Sequence, residues 1–237
     1  MFLRFETAFL GNTTVEWIRE AVRQSPPQPF FAFIAPHAPH GASIPAPWYT
    51  ASFAEVAVPR PPSYGHWAPD HHWLVAQQTE PVTPGEGVQS DASYRHRWQC
   101  LLSVDDLIAE VRSALDELEV ADNTYFFYTS DNGFHFHELR LGVGKWNLYD
   151  TDVRTHMFIA GPGIHPGATL RSVDQHVDLA QTWLGLAGIA TLERKSHLQQ
   201  RIIMAIFGIQ DTKPQLARGS YGRCEFTRCW GCTLCLY

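Results

Sequence analysis

Three observations predict a layered α/β domain. Short apolar runs at 30–35, 125–129 and 156–160 have the length and the aromatic, β-branched content of buried strands, and their unbroken apolarity predicts a parallel sheet covered on both faces. Stretches at 14–24, 94–119 and 174–188 repeat apolar residues every three or four positions, the period of a helix packed by one face. After the first helix the order is strand, helix, strand, strand, helix, which suits a sheet flanked by helices with at least one right-handed crossover.

The first helix carries Val15, Ile18, Ala21 and Val22 on its apolar side, has Glu16 in its first turn, and is stopped by Ser25-Pro26-Pro27-Gln28-Pro29. The run at 30–35 leads straight into Pro36-His37-Ala38-Pro39-His40. Ligands of open α/β sheets bind beyond the carboxyl ends of strands, so His37 and His40 are candidate ligands or proton donors, with ordinary loop histidines as the open alternative. Residues 41–91 are rich in Pro, Gly, His and Trp and show little periodicity. Trp48, Tyr49, Trp67 and Trp73 are too many rings for a disordered linker. They are expected to pack this loop onto the domain, while a second reading stacks them on a sugar with His71 and His72 beside them. His66, His71 and His72 fit no standard zinc spacing.

The helix at 94–119 opens on Arg95-His96-Arg97 and carries its stripe through Leu101, Val104, Leu107, Ile108, Val111, Leu115 and Leu118. Asp105 and Asp106, as helical neighbours, project about 100° apart and cannot face one ion. The run at 125–129 ends in Ser130-Asp131-Asn132-Gly133. Adjacent carboxylate and amide oxygens suit Ca²⁺ or Mg²⁺, although Asp-Asn-Gly is also simply a good turn. His135, His137, Lys145 and Arg154 follow closely and could hold an anion beside that tip. The strand at 156–160 is closed by Gly161-Pro162-Gly163-Ile164, and the last helix, with Val177, Leu179, Ala180, Trp183, Leu184 and Leu186 as its apolar residues, has Gly188 as its C-cap.

Composition narrows the classes. With 237 residues and 45% hydrophobic content the chain can bury a sizeable core, and it could form one large domain or two small ones. A net charge of −6 without a basic stripe argues against nucleic acid, so an anionic substrate would have to be held by a local pocket. No apolar run approaches about 20 residues, so no membrane span is expected. The N-terminus, interrupted by Glu6, does not read as a signal peptide, and Asn12-Thr13-Thr14 is a glycosylation sequon. Cys100 stands alone, while Cys224, Cys229, Cys232 and Cys235 crowd a tail with no strand periodicity. That spacing lacks the long loop of most zinc sites. Residues 191–237 are therefore an unassigned cysteine-containing tail behind a domain at 1–190.

Taken together, YFFYTSDNGFH, Lys145 with LYD behind it, RHRWQ and LLSVDDL ahead of the strand, and a strand ending in AGPGI resemble the sulfatase family over about 14–190. The resemblance implies an alkaline-phosphatase-like fold and a sulfuric ester hydrolase acting on a sulfated carbohydrate such as N-acetylglucosamine 6-sulfate, in a lysosomal or extracellular setting. It implies Asp131 and Asn132 as two ligands of a Ca²⁺ (or Mg²⁺) ion and Lys145 as a sulfate-binding cation. His40 would contact the ester and serve its leaving group, with His37 as second choice and His135 as a further substrate contact.

The family's nucleophile is a formylglycine made from cysteine in a Cys-x-Pro-x-Arg motif, preceded by paired metal-binding aspartates. Neither feature is in this sequence: Cys100 is followed by Leu-Leu-Ser, and Cys224-Glu225-Phe226-Thr227-Arg228 lacks the proline. The expectation is an incomplete sulfatase, with the N-terminal portion and the C-terminal subdomain of the family missing and with no turnover as an isolated chain. A non-catalytic module for sulfated glycans or anions, and a phosphoric ester hydrolase of the same superfamily, are the alternatives.

Overall fold

The computed structural model describes residues 5–170, 174–189 and 233–236. Its main sheet has four strands in the order β1-β6-β2-β5, with β1 at Ala32–Ile34, β2 at Phe126–Thr129, β5 at Met157–Ala160 and β6 at Thr233–Leu236. A two-stranded ladder of β3, His135–Phe136, and β4, Val143–Gly144, stands apart from it. Every pairing in the main sheet is antiparallel, which corrects the expected parallel sheet. Continuous apolarity reports burial on two faces, and a covered antiparallel sheet has that too. Because β1 and β2 both pair with β6, they still run parallel to each other, one strand apart.

Helices cover the two faces. Helix α1, Glu6–Val22, and helix α3, Pro84–Glu117, pack together and on the sheet, where Val15, Ile18, Leu107, Val111 and Leu115 enclose Ala32 and Ile34. Gly11 allows this approach, since a Cβ there would lie 3.3 Å from Leu107. On the opposite face α5, Leu179–Leu186, sets Leu179 and Trp183 against Phe127, Met157 and Ile159. A third cluster of Val58, Tyr94 and Phe136 binds the first half of α3 to the 41–83 loop and the small ladder.

Helix boundaries depart from the periodicity. α1 begins at Glu6, eight residues before the apolar pattern does, and α5 is confined to Leu179–Leu186 behind a 3₁₀ turn at His176–Asp178. α3 begins at Pro84 and claims the end of the stretch read as loop. Its start is a capping box: the Glu86 carboxylate accepts from the Thr83 N–H at 2.8 Å, the Thr83 hydroxyl accepts from the Glu86 N–H at 3.2 Å, and Pro84 fills the first helical position. A four-residue helix α2, Trp73–Ala76, also lies inside the loop.

The loop's rings do not bury as expected. Trp48, Trp67 and Trp73 are exposed, because the loop is held by other contacts: Arg95 donates to the Ala54 and Val56 carbonyls, and Gln99 to those of Thr50 and Ser52. Asp105 and Asp106 are exposed, and Asp106 accepts a 2.6 Å bond from the Tyr49 hydroxyl. The tail was expected to hold no strand, yet Thr233–Leu236 forms β6. The metal reading of Cys224, Cys229 and Cys232 lies outside the described residues.

Candidate anion-binding site at the strand tips

Register decides what meets at the end of the sheet. Ile34 of β1 and Tyr128 of β2 both lie opposite Leu234 of β6, and Thr129 lies opposite Met157 of β5. The carboxyl ends of β1 and β2 are therefore level and about 10 Å apart, two strand spacings, with the amino end of β5 beside them. Residues 35–40, 130–133 and 154–156 share one edge.

At the β2 tip, Asn132 is held by its neighbours: Ser130 Oγ donates to its carbonyl at 2.6 Å, its own N–H donates to Asp131 Oδ1 at 3.0 Å, and its Nδ2 donates to the Gly133 carbonyl at 2.8 Å. That leaves Oδ1 to accept from Lys145 Nζ at 3.0 Å. The Lys145 ammonium is also 3.9 Å from Asp131 Oδ2. The sequence-predicted Asp131, Asn132 and Lys145 are thus together. His37 and His40 form their own pair at the β1 tip, with ring centroids 5.1 Å apart, both exposed, and His37 Nδ1 lies 3.9 Å from Glu6.

His135 is elsewhere. It is fully buried in β3, and its Nδ1 meets Asp152 Oδ1 at 2.7 Å, a contact that braces the loop. His137 is buried as well, with Nε2 at 2.7 Å from Ser90 Oγ, and burial holds its pKa below the usual histidine value. His71 pairs with Asp70 at 3.0 Å and His72 caps α2, which separates two of the loop histidines by task.

Two residues given no role by the sequence organise this site. Asp152, in the short helix α4 at Asp150–Val153, is a buried carboxylate that accepts from His135 Nδ1, from the Thr151 hydroxyl at 3.1 Å and from the Asn147 N–H at 2.8 Å. Its carbonyl accepts from the Gly133 N–H at 2.7 Å, so α4 ties the Asp131–Asn132 tip to the Lys145 loop. Gly133 is required there by space, since a Cβ would sit 2.0 Å from the Thr151 carbonyl oxygen. No local pattern marks Asp152. Arg97 did leave a signal, a cation on the apolar stripe of α3. Its guanidinium lies 4.0 Å over the Phe134 ring, and burial lowers its pKa to about 10, against the raising charges of Cys100 and Asp131.

Hard oxygens from Asp131 and Asn132 suit Ca²⁺ or Mg²⁺ in kind. A Ca²⁺ shell takes about six to eight of them, however, and one of these two already carries an ammonium. Among the described residues no group of three or more His, Cys, Asp or Glu converges. These residues do not by themselves complete a site for the ion.

The model of the family described as Sulfatase matches residues 6–189. The N-acetylglucosamine-6-sulfatase of Homo sapiens is 38% identical over 161 residues, covering 68% of this chain and 29% of that protein. Its counterpart in Capra hircus is 36% identical over 182 residues, covering 77% and 32%. The chain thus spans about a third of the length of these curated relatives. The solved structure of BT4656 in complex with its substrate D-glucosamine-2-N,6-O-disulfate superposes with a TM-score of 0.60 at 20% identity, over 81% of this chain and 50% of that one. Ps i-CgsB in complex with k-i-k-neocarrahexaose gives 0.57 at 20% identity, over 84% and 38%.

Proposed function

The chain belongs to the sulfatase family, with its alkaline-phosphatase-like layered fold, and on that premise we propose that it binds the sulfate of a sulfated carbohydrate at the strand tips. We propose the substrate class of the relatives named above, 6-sulfated N-acetylglucosamine, and sulfate ester hydrolysis as the reaction the fold serves. These 237 residues alone are expected not to turn the ester over, because the sequence contains no Cys-x-Pro-x-Arg nucleophile.

The observation that carries this reading is the contact of Lys145 Nζ with Asn132 Oδ1 at the tip of β2. An ammonium fixed by a neutral amide keeps donors free for an incoming oxygen, and the exposed Asp131 at 3.9 Å neutralises it only weakly. In this proposal Lys145 holds a sulfate oxygen, and His40 is assigned the protonation of the leaving sugar's oxygen. Asp131 and Asn132 are proposed as two donors of a Ca²⁺ or Mg²⁺ shell, and no step is routed through that ion.

The test measures sulfate release from an aryl sulfate and from N-acetylglucosamine 6-sulfate with Ca²⁺ present, alongside binding of inorganic sulfate, for the wild-type chain and Lys145→Ala. Sulfate binding that disappears in the variant, without turnover in either protein, is the expected result. Turnover abolished by the substitution would mean that another group attacks, and sulfate binding indifferent to Lys145 would remove the anion site.

A further inference from the structure

We infer that the cleft between the 138–141 turn and the start of α4 binds an amino sugar with an unsubstituted, protonated amine; the inference goes beyond the reading of Lys145 given above and does not depend on it. The cleft holds about 340 Å³, at the small end for a ligand pocket and suited to a single sugar ring. Glu138, Leu139 and Leu141 line one wall and Leu148, Tyr149 and Asp150 the other, and Ser63 adds a hydroxyl. Both walls are held in place before any ligand arrives. The Leu139 N–H donates to the Ser63 carbonyl at 2.7 Å, the Gly65 N–H to the His137 carbonyl at 2.8 Å, and Arg140 Nε to the Gly65 carbonyl at 2.9 Å. On the other side the Asp152 N–H donates to the Tyr149 carbonyl at 2.8 Å, and the buried Asp152 carboxylate anchors that turn to His135.

The lining selects the ligand. Two of its residues are carboxylates and none is basic. Arg140, the cation nearest to Glu138 in sequence, directs its guanidinium to the carbonyls of Gly65 and Thr79. Glu138 Oε2 accepts from the Phe136 N–H at 2.5 Å, a neutral donor that fixes the carboxylate without cancelling its charge, and Asp150 is exposed at the first position of α4. The cleft therefore repels a sulfate ester and attracts a cation. A bare metal ion does not answer this lining, since among the described residues no group of three or more His, Cys, Asp or Glu converges. Three leucines call for apolar surface on the same ligand, and Leu148, 92% exposed, has the most to gain from being covered. A protonated hexosamine has all the matching parts: an ammonium for Glu138 and Asp150, hydroxyls for Ser63 and Tyr149, and an apolar C–H face for the leucines.

The experiment titrates the full chain at pH 6 with glucosamine, N-acetylglucosamine and cyclohexylamine, followed by NMR, for the wild type, Glu138→Gln, Asp150→Asn, Leu148→Ala and Lys145→Ala. Glucosamine should bind the wild type about tenfold more tightly than N-acetylglucosamine, whose amide carries no charge. Glu138→Gln and Asp150→Asn should each reduce that preference about threefold, the scale of a partly exposed ion pair. Leu148→Ala, a change at an exposed position that leaves the fold intact, should weaken both sugars alike. Lys145→Ala should leave glucosamine binding unchanged. Equal affinity for the two sugars, or a preference that survives both carboxylate substitutions, would overturn the inference. Cyclohexylamine bound as tightly as glucosamine would reduce the cleft to a site for any apolar amine and remove the sugar. Loss of glucosamine binding in Lys145→Ala would move the ligand to the strand tips and out of the cleft. Inorganic sulfate titrated into the same proteins reports on Lys145 by itself, so failure of the anion site and failure of the cleft are separate results.

Discussion

Replacing Asp152 tests whether one buried carboxylate holds the strand tip and the lysine loop together. In Asp152→Ala the His135 Nδ1–H loses its 2.7 Å acceptor inside a fully buried site, on a ring whose Nε2 has no hydrogen-bond partner. The partly buried Asn147 N–H also loses its 2.8 Å acceptor, whereas the Thr151 hydroxyl can turn elsewhere. A buried donor left unmatched costs about 1–3 kcal/mol, so the two together should cost about 2–5 kcal/mol. For a domain of this size that corresponds to roughly 5–15 °C in Tm. Asp152→Asn keeps the shape but must point its NH₂ at one of the two donors, so it should lose about half as much. Urea and thermal unfolding of the three proteins measure the series. An Asp152→Ala protein within about 0.5 kcal/mol of wild type would refute the bracing role, since surface substitutions stay in that range.

His137 predicts a pH dependence. Its folded pKa lies below the unfolded value of about 6.5, so as pH falls through that value the unfolded chain takes up a proton that the folded chain refuses, and stability drops. His137→Asn, chosen because the residue has φ 64, should flatten the wild-type loss of urea midpoint between pH 7.5 and pH 5.5; an unchanged slope would clear His137 of the effect. Gly133→Ala must displace the Thr151 carbonyl and should cost about 2 kcal/mol or more while weakening sulfate binding, read by unfolding and calorimetry on the same sample; a variant matching wild type in both would show that the α4 contact is dispensable.

How much was legible in the sequence follows from the range of each signal. The three strand runs and the stripe of α3 are local: each run contains an observed strand, and the stripe follows α3 to its C-cap at Leu118. Asp131, Asn132 and Lys145 could be singled out because a turn after a strand is a recognisable place for chemistry. The role of Asp152 could not, because it depends on partners at 133, 135 and 147 that no spacing rule connects. The burial of His135 was equally hidden: its position near a tip gives no sign that β3 pairs it with β4 and covers it. The start of α3 was written as Thr83-Pro84-Gly85-Glu86, a capping signature obscured by two glycines and a proline that read as loop. The antiparallel pairing through β6 had no local trace, since strand direction is a property of partners.

At 34 residues, α3 is about 50 Å long, enough to cross the whole domain. Its first turns carry Ser90 against His137 and Arg97 over Phe134, in the wall around the lysine loop, and its later turns carry Leu107, Val111 and Leu115 under the sheet. Wall and sheet are therefore mounted on a single beam. Displacement of one relative to the other has to be paid for as bending of that helix, a stiff mode in which each hydrogen-bonded turn resists the next. The spacing between the two strand tips and the loop beside them is thus insulated from local loosening, and amide exchange in the middle turns of α3 should be slowed to the rate of global opening.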